Sequence, residues 1–299
     1  MAITKTQLSF IPAILLCLFF TSCEKLSKTD EVTGNKIPYY DEVPTIKVEA
    51  YLNRMYIDLV GREPLDSEVV ADIAYLRAND LSLAARETIA HRLQWDSLPR
   101  AGEGSYHAAY CHWFIERMKA DLIEGANDVD FETEKQGFPL GSIGRYKIER
   151  IQFAEPSFTS GQITFNTLVV YMLDNAVYDK INMQTFNFVN ATFDNLFFRY
   201  PSKNELEIAM SVIDNNQVGF LFDKSMQNKD EYINAIVQCR EFYQGMIQRG
   251  YVKIMRNSKP FTAEVAKATN ALFTSGDYPK FERSLIITDE YAQFTPTYR

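Results

Sequence analysis

The sequence is poor in the side chains that usually hold metals and haem, since its 299 residues include 3 histidines and 4 cysteines. No C-x-x-C-H segment is present, which excludes covalent attachment of a c-type haem. The densest group of potential ligands is His107, Cys111 and His112. His107 and Cys111 are four residues apart, which fits one face of a helix. A structural zinc site needs four ligands, and the only other histidine is His91, so we expect no metal and a helix that buries Cys111 and Trp113.

The catalytic motifs that can be recognised in a single sequence are also missing. The chain has no G-x-S-x-G segment, no H-E-x-x-H segment and no glycine loop that would hold a phosphate. Carboxylates are numerous, so a glycosidase-type pair stays open, but no two of them stand out. We therefore expect no catalytic residues and no cofactor.

Basic residues are also fewer than acidic ones. Lys and Arg number 31 against 39 Asp and Glu, which gives a formal net charge of −8. Nucleic-acid binding depends on clustered cations, so this composition argues against a nucleic-acid partner. Aromatic residues are abundant by contrast, with 21 Phe and 17 Tyr, which indicates a chain with a substantial folded core.

The apolar run near the N-terminus is too short to span a membrane. The segment "LSFIPAILLCLFF" (Leu8–Phe20) has 13 residues, whereas a spanning helix needs about 20. Its length is typical of the apolar region of a signal peptide. The next residues are Thr21, Ser22 and Cys23. This ending resembles the lipobox of bacterial lipoproteins, in the form common in Bacteroidota, and implies that lipid is attached to Cys23.

The resemblance to a lipobox implies an exported protein that a lipid holds at a membrane, with the outer membrane favoured and the face of the membrane open. An ordinary cleaved signal peptide and an uncleaved anchor are the alternatives. Residues 23–44 are polar and contain Gly34, Pro38 and Pro44, so we expect a flexible tether. The expected partners are the membrane, through the lipid, and other envelope proteins.

Three further residues are candidates for covalent modification. Cys111 and Cys239 remain once the signal peptide is removed and Cys23 is lipidated, and an exported compartment permits a disulfide between them. Two unpaired buried thiols are equally compatible, because the sequence does not fix their separation. The segment "DSL" resembles a short O-glycosylation signal of Bacteroidota, which implies a glycan on Ser97.

The chain repeats a pattern of helix, corner and helix. The segment "YLNRMYIDLVGREPLDSEV" (Tyr51–Val69) aligns without a gap with "FVNATFDNLFFRYPSKNEL" (Phe188–Leu206), and more faintly with "IQRGYVKIMRNSKPFTAEV" (Ile247–Val265). In each copy apolar residues recur at helical spacing before the corner, proline stops the helix, and a glutamate falls in the first turn of the next helix. The recurring corner residues are Arg62, Pro64, Glu68, Arg199, Pro201, Glu205, Pro260 and Glu264.

The chemistry of the corner predicts a structural role. Gly61 can supply a left-handed residue that ends a helix, Asp66 is a plausible N-cap, and Ser202 with Glu205 fits a capping box. The arginines of the first two corners could bind an anion. We interpret them instead as clamps on nearby carbonyls or a carboxylate.

The first corner resembles the "GR-x-P" corner of two bacterial domain families of unknown function. One is related to phycobilisome linkers, and the other occurs in large planctomycete-type proteins that also carry cytochrome c domains. The segments "NKDEY" (Asn228–Tyr232) and "ITDEY" (Ile287–Tyr291) resemble the tail of the linker-related family. The resemblance covers about residues 45–100 and 185–299. It implies an all-helical module without an active site that could be transferred.

These patterns predict a mainly α protein with two to three diverged helical modules and a small irregular or β-containing insertion. Within the insertion, "YKIERIQF" (Tyr146–Phe153) alternates apolar and polar residues, which predicts a short strand or hairpin. We expect a partner surface in this insertion, because inserted loops often carry function. The predicted boundaries are a signal peptide at 1–22, a lipidated tether at 23–44, module 1 at 45–125, the insertion at 126–180, module 2 at 181–245 and module 3 at 246–299.

The function expected from these features is non-catalytic. We expect an envelope lipoprotein that acts as a scaffold or binding component of a membrane-associated complex. The alternatives are a hydrolase of envelope or extracellular glycans and a ligand-binding accessory lipoprotein for nutrient uptake. A hydrolase requires a cleft where two carboxylates converge, whereas a binding protein requires exposed aromatic residues on one face.

Overall fold

The computed structural model of the protein describes residues 38–100, 102, 104–257 and 260–298. Within that part of the chain, sixteen α-helices and two pairs of short strands are formed. The mainly α class predicted from the sequence is confirmed. No helix in these ranges is both long and apolar enough to cross a membrane. The predicted signal peptide and the lipobox at Cys23 lie outside the described residues.

The helices follow one another with short connections. The first group is α1 (Thr45–Val60), α2 (Asp66–Ala78), α3 (Leu83–Trp95) and α4 (Tyr106–Leu122). The second group is α5 (Asp128–Lys135), α6 (Ile143–Gln152), α7 (Ala154–Thr159), α8 (Phe165–Leu173) and α9 (Ala176–Ile181). The third group is α10 (Thr185–Phe197), α11 (Lys203–Asn215), α12 (Lys229–Ile236) and α13 (Arg240–Lys253). The last group is α14 (Thr262–Ser275), α15 (Tyr278–Ile286) and α16 (Asp289–Ala292).

Short polar side chains cap the N-termini of most of these helices. At most helix starts, the residue before the first turn accepts a hydrogen bond from a backbone N–H that no residue inside the helix can satisfy. The capping residues are Ser82, Ser105, Asn127, Ser142, Thr164, Asn175, Ser202, Asn228, Asp277 and Thr288.

Helix α1 buries one face in the core, and the C-terminal residues return to it. Its fully buried positions include Leu52, Met55 and Leu59, at the three- to four-residue spacing of one helix face. Helices α2, α3, α4 and α16 pack around it. Arg54 of α1 donates from Nη1 to the carbonyl of Tyr291 at 3.0 Å. Residues 39–297 form one compact unit.

The first two corners have the same geometry, as their sequence similarity predicted. Gly61 and Phe198 both take the left-handed conformation after their helices, with φ of 74° and 58°. The two arginines then bind the two glutamates through paired hydrogen bonds. Arg62 donates to both carboxylate oxygens of Glu68 at 2.8 Å. Arg199 donates to those of Glu205 at 2.9 and 2.8 Å.

Each corner glutamate also caps the start of the following helix. Glu68 accepts the backbone N–H of Leu65, and Glu205 accepts that of Ser202, both at 2.7 Å. The Ser202 capping box is confirmed. The expected N-cap at Asp66 is wrong, because Asp66 is already the first residue of α2 and Leu65 precedes it. Since leucine has no acceptor, the Glu68 carboxylate supplies the cap from the first turn.

The third corner is the least regular. Arg256 takes the left-handed conformation after α13, with φ of 58°. Pro260 precedes α14, and Glu264 lies in the first turn of that helix. Proline and first-turn glutamate therefore keep their places relative to the helix, whereas serine stands at the position of the clamping arginine in the faint third alignment.

The strand predicted at Tyr146–Phe153 is wrong. These residues belong to α6 and its end, and the buried positions of the helix are Ile148 and Ile151, which are three residues apart. Short alternation and helical spacing overlap over so few residues, so the sequence did not distinguish them.

The small sheet lies instead in the second module. Strand β2 (Gly219–Leu221) pairs antiparallel with β3 (Lys224–Met226). Phe222 and Asp223 between them both have positive φ, which is the backbone of a type I′ hairpin turn. A second two-stranded pair joins β1 (Pro38–Tyr39) to β4 (Thr297–Tyr298).

The corner clamp predicts acid sensitivity. Hydrogen bonds from Arg199 lower the pKa of Glu205 from its ordinary value near 4.5 to about 2. A carboxyl with a lowered pKa in the folded state contributes stability above about pH 4.5 and loses it as pH falls towards 2. In Glu205→Gln we expect about 0.5–1 kcal/mol less unfolding free energy at neutral pH. The loss of stability between pH 4.5 and 2, followed by chemical denaturation, should be shallower in this variant.

The matched control for this measurement is Glu207→Gln, because Glu207 is in the same helix and forms only an exposed pair with Lys203 at 3.7 Å. A Glu207→Gln variant that flattens the acid transition as much as Glu205→Gln would contradict the role assigned to the clamp.

Candidate functional site

The three residues singled out as potential metal ligands do not converge in the structure. His107 directs Nδ1 to the carbonyl of Gln94 at 2.6 Å and Nε2 to the carbonyl of Thr159 at 2.9 Å. His112 faces outwards and pairs with Glu155 at 2.9 Å. Among the described residues, no group of three or more His, Cys, Asp or Glu side chains could hold a metal ion.

His107 has a structural role that its sequence pattern did not indicate. It joins the end of α3, at Gln94, to the end of α7, at Thr159. The ring of Trp95 stacks on the imidazole, with centroids 5.4 Å apart and planes 14° apart. Cys111 lies one turn further along α4, with its sulfur 3.9 Å from the ring nitrogens.

The cysteines that the sequence left open as a pair are not bonded to each other. Cys111 and Cys239 are both buried and free. Burial raises the pKa of each thiol to about 11. Cys239 precedes α13, and its thiol donates to the carbonyl of Ile236 at 3.2 Å. The two thiols are therefore part of the core.

The corner arginines are engaged inside the fold. Besides Glu68, Arg62 donates to the carbonyl of Glu63 at 2.8 Å. Glu68 also accepts Arg100 at 2.7 Å and the hydroxyl of Tyr106 at 2.6 Å. Although burial opposes its ionisation, the hydrogen bonds from Arg62 and Tyr106 lower the pKa of Glu68 to about 2. The interpretation of these arginines as clamps on carbonyls and a carboxylate agrees with this geometry.

A groove opens beside His107. It consists of two adjoining depressions of about 440 and 690 Å³ that share His107, Thr159 and Ser160. Trp95 and Ile163 line the first depression, and Phe153 lines the second. The groove therefore has an apolar, aromatic character with hydroxyl groups between its aromatic residues. Ser97, the candidate glycosylation site, is exposed and lines the second depression.

Helix α6 carries an exposed apolar stripe that leads into this groove. Ile143, Tyr146 and Phe153 are three and seven residues apart, which places them near one another on the side of the helix away from Ile148. Their exposed fractions are 69, 55 and 62%. Leu140, just before the helix, is 85% exposed. Because Phe153 also lines the groove, stripe and groove form one surface, which we call the α6 surface.

Two cations of α6 pair with a carboxylate at the end of α8, and a third pairs within the helix. Lys147 pairs with Asp174 at 2.7 Å, and Arg150 binds the same carboxylate. Arg145 pairs with Glu149 within the helix at 3.0 Å. The two pairs with Asp174 tie α6 to the end of α8, so the apolar residues are presented on a helix that is held to its neighbour.

The carboxylates that line the groove are already engaged. Asp277 caps α15 by accepting the N–H of Lys280 at 2.9 Å. Glu155 accepts His112 at 2.9 Å. Within the residues that line the two depressions, these are the only acidic side chains, and each has a structural partner.

Comparisons with known proteins add no relative to this description: no protein-family model, no curated protein and no solved structure matches the chain.

The role of His107 predicts a difference between two histidines of the same helix. His107→Leu leaves the carbonyls of Gln94 and Thr159 without this partner, so we expect a loss of about 1–3 kcal/mol in unfolding free energy. His112→Leu, at an exposed position, is the control and should change stability by no more than about 0.5 kcal/mol. Equal stabilities of the two variants in chemical denaturation would show that His107 does not join α3 to α7.

Proposed function

We propose that the protein is a non-catalytic, lipid-anchored component of the cell envelope that binds a partner protein through the α6 surface. The observation that carries this proposal is the exposed stripe of Ile143, Tyr146 and Phe153, continuous with an aromatic groove. Exposed apolar residues that gather beside a concave site are characteristic of protein–protein contacts, and Trp, Tyr and Arg are enriched among the residues that contribute most of the binding energy there.

The shape of the α6 surface favours a protein segment over a membrane. A bilayer surface could accept the stripe, but it would not fill a depression lined by Trp95 and His107. The cations on α6 are paired with carboxylates, and the chain carries a formal net charge of −8. Attraction to anionic lipids, which depends on clusters of Lys and Arg, is therefore weak at this surface.

The same shape favours a different protein over a second copy of this chain. Two α6 stripes could pair across a twofold axis, but each groove would then stay unfilled. A partner that places apolar side chains on the stripe and an aromatic or aliphatic side chain in the groove would cover both.

Site-specific photo-crosslinking tests this proposal in intact cells. A photoreactive residue is placed at Tyr146 or Phe153, and at Val70 as control, because Val70 is 70% exposed on another helix. We expect one and the same protein to be attached to positions 146 and 153 and not to position 70. Ile143→Asp, which introduces a charge into the stripe, should lower the yield about tenfold, the loss expected at an energetically dominant contact.

Three outcomes contradict the proposal. Attachment of lipid alone at positions 146 and 153 would assign the surface to a membrane, and attachment of a second copy alone would assign it to self-association. Attachment of the same protein at position 70 would show that the reaction reports proximity in the envelope rather than binding to the α6 surface.

The lipid anchor is proposed from the lipobox alone, and it has its own test. In Cys23→Ala the acceptor sulfur is lost, so we expect the protein to leave the membrane fraction and to change its electrophoretic mobility. Cys17→Ala is the control, because Cys17 lies within the predicted signal peptide and should not affect the anchor. A Cys23→Ala variant that still sediments with membranes at unchanged mobility would rule out lipid at this position.

A further inference from the structure

A polar pocket lies between α8 and the segment that joins α12 to α13. Its volume is about 560 Å³, within the range of roughly 300–1,000 Å³ that is typical of small-molecule sites. It adjoins the α6 surface, since Thr164, Ser275 and Gly276 line both this pocket and the first depression of the groove. The chemistry of the two differs. The groove is largely aromatic, whereas most side chains of the pocket carry hydroxyl or amide groups.

The charge of this pocket is balanced. Arg150 is the only charged side chain among the described residues that line it. Its guanidinium binds the carboxylate of Asp174, so the positive charge already has a partner. An anion that entered the pocket would find no unpaired cation, and a cation would find no carboxylate. Because a charge without a partner is costly to remove from water, the pocket favours a neutral ligand.

Two residues of α8 bring unpaired polar atoms to the lining. Asn166 donates its amide N–H groups to the carbonyl of Val237 and, at 3.0 Å, to the hydroxyl of Tyr243. Its Oδ1 is open to solvent and has no partner in the described part of the chain. The hydroxyl of Tyr171 is likewise open and unpaired, while the guanidinium of Arg150 lies 4.7 Å from the centroid of its ring. These contacts hold both side chains and leave their free oxygens available.

The opposite wall adds a further acceptor and a donor. Asn234 donates Nδ2 to the carbonyl of Asp230 at 2.8 Å, which leaves Oδ1 as an acceptor. Gln238 accepts Lys224 at Oε1, which leaves Nε2 as a donor. Both side chains are exposed. Unpaired donors and acceptors therefore occur together on one neutral lining.

We propose that this pocket binds a neutral sugar, either free or as the end of a glycan. Each sugar hydroxyl is both a donor and an acceptor, so one ring pairs with the Tyr171 hydroxyl, the free amide oxygens and Nε2 of Gln238 together. The C–H faces of the sugar contact the rings of Tyr171 and Tyr243, which combine an apolar body with a polar tip.

A peptide segment also carries donors and acceptors, but it fits this lining less well. An extended peptide satisfies its backbone groups by pairing with the edge of a strand. None of the described residues that line the pocket belongs to a strand. The lining consists of helix faces and connections, whose side chains suit the separate hydroxyls of a sugar.

Calorimetric titration of the purified protein tests this proposal with a defined panel. The panel contains glucose, galactose, mannose and N-acetylglucosamine, each as the free sugar and as its homodisaccharide, together with the neutral peptide N-acetyl-trialanine amide. We expect at least one saccharide to bind. Its uronic acid and its 2-amino form should bind about tenfold more weakly, because their charges find no partner in the pocket.

The two forms of each sugar distinguish the sources of the ligand. A disaccharide that binds more tightly than its monosaccharide supports the end of a glycan, and equal affinities support a free sugar. Binding of the peptide alone, binding of no member of the panel, or equal affinities for the neutral sugar and its charged forms would overturn the proposal.

Two variants locate the binding. Tyr171→Phe removes a hydroxyl that has no partner within the described part of the chain, so stability should stay unchanged while the affinity for the saccharide falls about two- to tenfold, as for one lost hydrogen bond. Tyr75→Phe, at an exposed position on α2, is the control.

Asn234→Ala removes the free Oδ1 and should lower the affinity by a similar factor of about two to ten. Asn187→Ala is its matched control, because Nδ2 of Asn187 forms the same bond within a helix, to the carbonyl of Met183 at 2.8 Å. Unchanged affinity in both Tyr171→Phe and Asn234→Ala would place the sugar elsewhere on the protein and overturn the proposal.

Discussion

At each of the first two corners, an arginine guanidinium pairs with a glutamate carboxylate. This pair determines how one helix follows the next. A residue in the left-handed conformation follows the first helix, and the arginine after it binds the glutamate of the next helix with both terminal nitrogens. The same carboxylate accepts the N–H at the start of that helix. The glutamate carboxylate therefore closes the turn, caps the helix and balances the charge of the arginine, and the two corners share this chemistry as well as their sequence pattern.

The corners join helices through paired charges, whereas α6 presents exposed apolar residues. Ion pairs from Lys147 and Arg150 to Asp174 hold α6 against α8, while Ile143, Tyr146 and Phe153 remain exposed. A mobile segment would lose conformational entropy on binding, but a stripe on a fixed helix is already arranged. This arrangement is consistent with the proposed role of the α6 surface in binding a partner.

Much of the fold follows from local patterns, and the failures follow from their limits. The helices of the first two corners, the Ser202 cap and the arginine clamps agree with what the sequence indicates, because each depends on residues within about one turn of the corner. Residues 146–153 were misassigned as strand because eight residues are too few to separate the two periods. A partner surface was expected in the insertion, which contains α6, and it stays a prediction; Trp95, which lines the groove, was not singled out.

The sequence by itself determined the repeated corners, the mainly α class and the acidic composition, because these depend on neighbouring residues and on counts. Only the tertiary structure decided which aromatic residues are buried and which are exposed, since a phenylalanine in a helix carries no sign of what will cover it. It also decided that His107 joins two helix ends and that Asn166 and Tyr243 meet in one polar pocket. These side chains are distant in the chain, and packing alone brings them together.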